Sequence, residues 1–538
     1  MDRRRFVLKA GLVAVGSAFG SSLTSCGFEL NIPCLGPAAA PVPVPGMNYI
    51  RASEIGCALD CHLESGRNKY HGGAATDDGP RINAAMAGAT AAHPITLIID
   101  GSALISGLFL PAGGHWSIAG LGCGTGFFIK KGTNNDGIHN GPPNAAIPSD
   151  PGPPAPARGM NVSLSNFTVN GNRGDGNNGD STSGAYQGIS GKVWYFGINL
   201  MNLNNIVIEN VVVVYSSSYQ IRLSNVGNVA VSGCVMWGIG GNSDGLHFDG
   251  PANDITVSNC SFMTGDDSIA LNCPEGYSGN ISRVAVTNCT VNSWSLMRLY
   301  TVGALGRFNI DTVTVSNCTG TVLEGAFMIG LNPGSYPNSV DGLTISDCSL
   351  TGPAILAMAE NFGTITLNNV TFTPSQSGIA WSEPQSNKIS GFIRASPASA
   401  NEPWVGSNLT FNNCTIRRNS GLQVAAVIIE DSSMIGNLTF NGFAVQDAGS
   451  HSPLPELLTI GSESVGQLVI ASLDSSNINA PVSTGGFSMI GSVAGAGVLA
   501  TAWEFPDAVM VNEVPYISAN SGLPSIKVNG VVEPYPEG

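Results

Sequence analysis

The chain predicts an all-β fold, a parallel β-helix in which one coil of short strands is repeated along the sequence. The first observation is a recurring motif of alternating apolar residues closed by a polar turn residue. It runs from Val162-Ser163-Leu164-Ser165-Asn166 through Asn205-Ile206-Val207-Ile208-Glu209-Asn210 and Ile255-Thr256-Val257-Ser258-Asn259-Cys260 to Leu438-Thr439-Phe440-Asn441-Gly442. The second is its period. Taking the Asn, Gly or Asp before the cysteine position as the marker, successive spacings from Asn210 are 23, 26, 29, 29, 30, 22, 44 and 29, and Asn166 lies 44 before Asn210. The third is composition: 69 glycines, 11% charged residues and short β-branched runs favour strands over helices. A period of 22 to 30 suits a coil of two or three strands per repeat. Leucine-rich repeats share the period, but their Leu-x-x-Leu-x-Leu pattern is missing, and a propeller blade needs about 40 to 45 residues. The two 44-residue intervals read as coils carrying inserted loops, the first being the Asn/Gly run from Asn170 to Gly184. The repeat overrides the three or four domains that 538 residues would otherwise suggest.

Residues 1–26 read as an export signal. Arg3-Arg4-Arg5 precede an apolar run from Ala10 to Phe19, shorter than the roughly 20 residues of a membrane-spanning helix. Asp2 to Lys9 resembles a twin-arginine motif, and Leu23-Thr24-Ser25-Cys26 resembles a bacterial lipobox with Cys26 as the lipidated residue. The alternative is an ordinary cleaved signal peptide with a chance cysteine. Export to the bacterial periplasm, outer membrane or cell surface is the expectation in either case. Residues 27–46, Pro- and Ala-rich from Pro33 to Pro45, read as a semi-rigid tether.

Residues 47–160 read as an N-terminal cap and the first coils. Thr76-Asp77-Asp78 before Ile82-Asn83-Ala84-Ala85-Met86 reads as a helix start with acidic residues in its first turn. Ile95–Ile99 and Leu108–Leu110 read as strands, and 132–158 as a long surface loop. A plug of this kind is needed because a stack of coils exposes an apolar end. The pattern resembles the capping segment of pectate-lyase-like proteins. Residues 161–449 read as the β-helix carrying a cleft, with loops 170–190 and 374–405 at its ends. Residues 450–538, where the echo fades, read as closing coils or a small β region.

Six of the twelve cysteines, Cys234, Cys260, Cys289, Cys318, Cys348 and Cys414, occupy one repeated position and read as a stack of small apolar side chains. Cys57 and Cys61 are the better disulfide candidates in an exported chain. The net charge of −15 argues against a nucleic-acid partner. The chain is expected to be a monomer.

The candidate site lies between Asn242 and Cys273. Asp244 precedes Asp266 by 22 residues and Asp267 by 23, one coil period, so the three acids belong to adjacent rungs about 4.8 Å apart. Neighbours in a strand point to opposite faces, so Asp266 and Asp267 share a face only at a bend, which Gly265 permits. Grouped carboxylates are what acid/base hydrolysis of a glycosidic bond requires, one protonated and one ionised, about 6.5 to 9.5 Å apart when water attacks directly.

Asn242-Ser243-Asp244-Gly245 followed by Thr264-Gly265-Asp266-Asp267-Ser268-Ile269-Ala270-Leu271-Asn272 resembles the two aspartate motifs of polygalacturonase-type glycoside hydrolases, family 28 and its β-helix relatives. The resemblance implies a right-handed parallel β-helix and inverting, metal-free hydrolysis without a cofactor. Asp266 would be the general acid, and Asp244 and Asp267 would hold and activate water. Two family motifs are missing. Trp294-Ser295-Leu296 stands where Gly-His-Gly is expected, and Ala326-Phe327-Met328-Ile329 where Arg-Ile-Lys would grip a uronate. Asn242, His247, Arg298 and Tyr300 are the candidates for substrate contacts, with Trp294 for stacking on a sugar face. The plainer alternatives are that His247 and Arg298 partner nearby carboxylates and that Trp294 and Tyr300 are packing residues. Two other functions remain open: a calcium-dependent polysaccharide lyase with the aspartates as ligands, and a non-catalytic glycan-binding surface protein.

Overall fold

A computed structural model describes residues 46, 48–63, 74–130, 133, 135–142, 154–172, 195–238, 242–303, 306–330, 340–358, 361–375, 390–395, 405–418 and 424–429, and from 434 onward the strands alone. The export signal, lipobox and tether lie outside these residues, as does most of both expected cleft-end loops. The chain is a parallel β-helix, divided into two compact units: residues 1–297 with 303–306, and residues 298–302 with 307–538.

In the first unit, successive coils pair in parallel and in register. Ile198–Glu209 aligns with Ile221–Ser232, which aligns with Leu246–Ser258. Apolar residues alternate inward, as with Ile255 and Val257 either side of the exposed Thr256. In the second unit Ile310–Ser316, Val340–Ser346, Phe362–Asn368 and Val405–Arg418 repeat the arrangement. Parallel pairing continues to Val493–Gly495, beyond the point where the sequence echo fades, and two antiparallel strand pairs follow, Ala508–Val511 with Val514–Ile517 and Ser525–Val528 with Val531–Pro534.

The repeat marker has a backbone cause. Asn166, Asn210, Gly233, Asn259, Asn288, Asn317, Asp347, Asn369, Asn413 and Gly442 all take positive φ, between 52° and 77°. Each turns one strand into the next through the left-handed region, which Asn, Asp and Gly enter at least cost. Five residues earlier a second series, Asn161, Asn205, Asn228, Asp254, Arg283, Thr312 and Gly342, does the same. Side-chain amides bridge coils at both levels, Asn210 Nδ2 donating to Asn166 Oδ1 at 3.2 Å and Asn228 Nδ2 to Asn205 Oδ1 at 2.8 Å.

The six motif cysteines are buried and outside any disulfide, each thiol donating to the carbonyl two residues before it. Cys57 and Cys61 are not bonded to each other, so the expected bridge is not made; burial pushes the Cys57 thiol up to about 11, aided by nearby Asp78. Cys123, which the sequence reading did not single out, is disulfide-bonded.

The cap helix spans Gly79–Met86 and buries Ile82 and Met86, but no acid lies in its first turn. Asp78 instead accepts the N–H groups of Ala58 and Leu59 at 2.7 and 2.9 Å, and Asp77 those of Gly79 and Ser106. These acids tie the cap to its neighbours. The expected 132–158 loop contains a buried strand, Ile138–Asn140, which pairs with Leu108–Leu110 and Ile198–Asn199. Its short His-Asn sequence carries no period-two signal.

Candidate active site

Leu246–Asp249 pairs with Ile269–Asn272 at an offset of 23, and the same offset sets Asp244 beside Asp267. The Gly245 N–H donates to the Asp267 carbonyl at 2.9 Å, locking the two coils at this point. Residues 265 and 266 form a bend between strands Ser261–Met263 and Asp267–Asn272. The bend is held on both sides: Ser243 Oγ accepts the Gly265 N–H at 3.0 Å, and Thr264 Oγ1 donates to the Asp266 carbonyl at 3.0 Å. One carboxylate oxygen from each of Asp244, Asp266 and Asp267 lies within 4.8 Å of the other two.

The three acids have different surroundings. Asp266 is partly buried and accepts the backbone N–H of Asn242 at 2.7 Å. Asn242 reaches that position through a left-handed turn, φ 54°, while its carbonyl accepts from Ser218 Oγ. Asp267 is fully buried and accepts from Ser295 Oγ at 2.6 Å. Asp244 is buried too. Its Oδ2 lies 2.7 Å from His247 Nδ1, and its Oδ1 has no hydrogen-bond partner among the described residues.

Behind the triad is a cluster of charges. His247 is fully buried, with Nε2 3.0 Å from both Asp249 Oδ1 and Glu275 Oε2. Burial pulls the imidazole toward neutrality, but hydrogen bonds to Asp244, Asp249 and Glu275 prevail and hold its pKa well above the ordinary value. Tyr219 stacks on the ring at 3.7 Å between centroids and 5° between planes. Arg222 is ion-paired with Asp249, and despite burial the Asp249 carboxyl is held below its ordinary range by Arg222 and His247.

These groups lie in two columns of one sheet. His139, Asn199, Arg222, His247 and Ala270 are register partners in one, and Met201, Ser224, Asp249 and Asn272 in the other. Alternate residues Ile198, Ile221, Leu246 and Ile269 fill the coil interior, so the columns face outward. They are nevertheless buried, because Tyr219, Phe196 and the segment after Asn272 cover them. Gly276 at φ 65° sits so close that a Cβ there would meet Ser224 Oγ and Asp249 Oδ2 at 2.5 and 2.6 Å. At the far end of the columns, burial raises Asp136 to about 6 and lowers His139 to about 4.

Trp294 is buried, and its backbone N–H donates to the Asp266 carbonyl at 3.2 Å. Arg298 and Tyr300 are partly exposed and fall in the second unit. The structure thus brings Asn242 and His247 to the aspartates, Asn242 through its backbone and His247 through its ring. Sequence reasoning missed Tyr219, Arg222, Asp249 and Glu275. Asp249 was findable, being two residues from His247 and so on the same strand face, and Arg222 lies one coil before it. Glu275 follows the strand in an irregular turn that no periodicity marks. Among the described residues, two groups have the donor atoms and spacing to hold a metal ion: the aspartate triad, and His247 with Asp249 and Glu275.

No family model matches the chain, and no curated protein matches it. Among solved structures, the Yersinia enterocolitica family 28 exopolygalacturonase is similar at 13% identity and a TM-score of 0.47, over 74% of this chain and 76% of that one. The tailspike protein of Escherichia coli bacteriophage HK620, in complex with a pentasaccharide, is similar at 11% identity and 0.48, over 83% and 78%. A GH87 α-1,3-glucanase from Streptomyces thermodiastaticus is similar at 12% identity and 0.42, over 85% and 70%.

Proposed function

We propose that this protein is an exported glycoside hydrolase that cleaves a polysaccharide by inverting, metal-free hydrolysis. The observation that carries the reading is the triad: carboxylate oxygens of Asp244, Asp266 and Asp267 within 4.8 Å, supplied by two register-locked coils and one bend. Asp266, the most accessible of the three, is the general acid that protonates the leaving oxygen. Asp244 and Asp267 hold and activate the water. Oxygens within 4.8 Å of one another can be bridged by one water making two hydrogen bonds of about 2.8 Å. The spacing between nearest oxygens is shorter than the separation of about 6.5 to 9.5 Å between carboxyl groups in inverting enzymes. The stereochemical assignment therefore rests on the motif resemblance and is tested by the anomer first released.

Arg298, Tyr300 and Trp294 are proposed substrate contacts, Cys26 a lipid anchor, and the disulfide at Cys123 favours an oxidising compartment. The test is to incubate the protein with neutral and acidic polysaccharides, with and without chelator, and weigh the products. Saturated fragments that gain water, released despite chelator and lost in Asp266→Asn, are the expected result; Asp266→Asn with undiminished turnover would sink the assignment. The close packing of three carboxylate oxygens also suits Ca²⁺. Unsaturated products abolished by chelation would establish that lyase reading instead, and glycan binding without any product would leave a binding protein.

A further inference from the structure

Trp237 and Met263 lie on the coils of the triad with apolar surface open to solvent, and they take no part in the hydrolase reading. We infer that these two side chains form a platform on which a neutral hexopyranose unit of the polysaccharide stacks by its C–H face, beside the aspartates. The identity of the ligand as a glycan rests on the hydrolase reading.

Strand Val235–Trp237 is on the coil that supplies Asp244, and Ser261–Met263 on the coil that supplies Asp266 and Asp267. They continue a parallel stack begun by Thr168–Asn170 and Val212–Val214 on the two coils before. Val169, Val213, Met236 and Phe262 form the buried inward row, so the residues flanking them face outward. The outward row at the strand ends runs Asn170, Val214, Trp237, Met263. Its first two members are 2% exposed, Trp237 is partly exposed and Met263 is 46% exposed. The row two residues earlier, Thr168, Val212, Val235, Ser261, opens in the same way. This sheet is therefore covered on its first two coils and bare on the two that carry the acids. Outward residues on the next sheet of those coils, such as Ser232, Thr256 and Ser258, are polar. An indole and a thioether left bare side by side call for an apolar partner. Buried Tyr215 braces the indole, with ring centroids 5.3 Å apart and planes at 47°, and Val212 and Val214 pack in the same cluster. The next residue, Gly238, donates its N–H to the Met263 carbonyl at 3.0 Å, and a Cβ on it would meet Ser243 Cβ and O at 2.8 Å. Ser243 precedes Asp244 and accepts the Gly265 N–H, and Asp266 is three residues beyond Met263. Platform and acids thus share two rungs and one backbone frame. A pyranose ring carries C–H groups on its faces and hydroxyls at its edge, so a face packs on the indole with the polarizable thioether beside it. The three aspartates and the net charge of −15 repel a uronate carboxylate and favour a neutral unit.

The test uses the whole protein carrying Asp266→Asn, so that sugars bind without being cut, titrated in a calorimeter with cellohexaose, laminarihexaose, maltohexaose and the hexamer of galacturonic acid. At least one neutral hexamer is expected to bind. Trp237→Ala in that background should raise its Kd by about 10-fold or more, and Met263→Ala by about 3-fold. Val207→Thr, at an exposed apolar position on another sheet, should leave it unchanged. Should the alanine variant lower the melting temperature, Trp237→Phe carries the test, since it keeps a ring against Tyr215; its Kd should rise by about 3-fold. An unchanged Kd in both Trp237 variants, preference for the acidic hexamer, or no binding of any neutral hexamer would overturn the inference. The hydrolase reading is judged apart, on wild-type protein and the matching polysaccharides. Binding that depends on Trp237 without release of water-gaining fragments would count against hydrolysis alone, and hydrolysis with KM unchanged in Trp237→Ala would count against the platform alone.

Discussion

At the scale of single residues, the site is governed by how buried charges are compensated. Arg222 and Asp249 are both almost fully buried and ion-paired. Removing one member of such a pair strands the other, so Asp249→Asn should destabilise the fold by about 3 to 5 kcal/mol, read from urea unfolding. Asp136 and His139 make a second, subtler case. The folded-state pKa of Asp136 is raised from 3.8 to about 6, so the native state holds its proton longer and stability falls as pH rises from about 4 to 6. That of His139 is lowered from 6.5 to about 4, so stability falls as pH drops across nearly the same window. The two slopes oppose one another in the wild type. Asp136→Asn should leave stability rising with pH between about 4 and 6.5, and His139→Gln should leave it falling between about 4 and 6, each by about 3 kcal/mol.

At the scale of the coil, the fold depends on a left-handed turn at the motif marker, joined from Asn161 to Gly342 by a second one five residues earlier. Asn259, at φ 54°, also accepts an inter-coil hydrogen bond from Asn288 Nδ2 at 3.4 Å. Asn259→Ala should cost about 1 to 2 kcal/mol and Asn259→Gly less, since glycine keeps the conformation and loses only the amide. Thr312 occupies the second series at φ 56° with a β-branched side chain, the residue type least suited to it. Thr312→Asn is expected to raise stability by about 0.5 to 1 kcal/mol in thermal or denaturant unfolding. The first series was readable as the Asn/Asp/Gly marker. The second was not, because Arg283 and Thr312 break its residue type while keeping its backbone angle.

For the molecule as a whole, a net charge of −15 repels acidic polymers and is indifferent to neutral ones. Added salt screens that repulsion. If an acidic polysaccharide is cut, kcat/KM should rise as ionic strength goes from about 0.01 to 0.15 M, whereas cleavage of a neutral polysaccharide should be nearly flat. This comparison separates the two substrate classes without knowledge of the sugar.

The sequence by itself determined the all-β repeat, its period, the first series of turn positions, the burial of the motif cysteines and the closeness in sequence of the three aspartates. These are local or periodic properties: a period of two places side chains in or out, and a coil-length period places one strand beside the next. Only the tertiary structure decided what each acid touches. Asp244 meets His247, Asp266 meets the Asn242 backbone, Asp267 meets Ser295, and Glu275 folds back on His247 from an irregular segment. It also decided that Cys57 and Cys61 stay unbonded to each other and that His139 lies buried inside an expected loop. Side-chain pairing depends on distances of a few tenths of an ångström between residues up to a coil apart, and sequence spacing places residues only to the nearest rung.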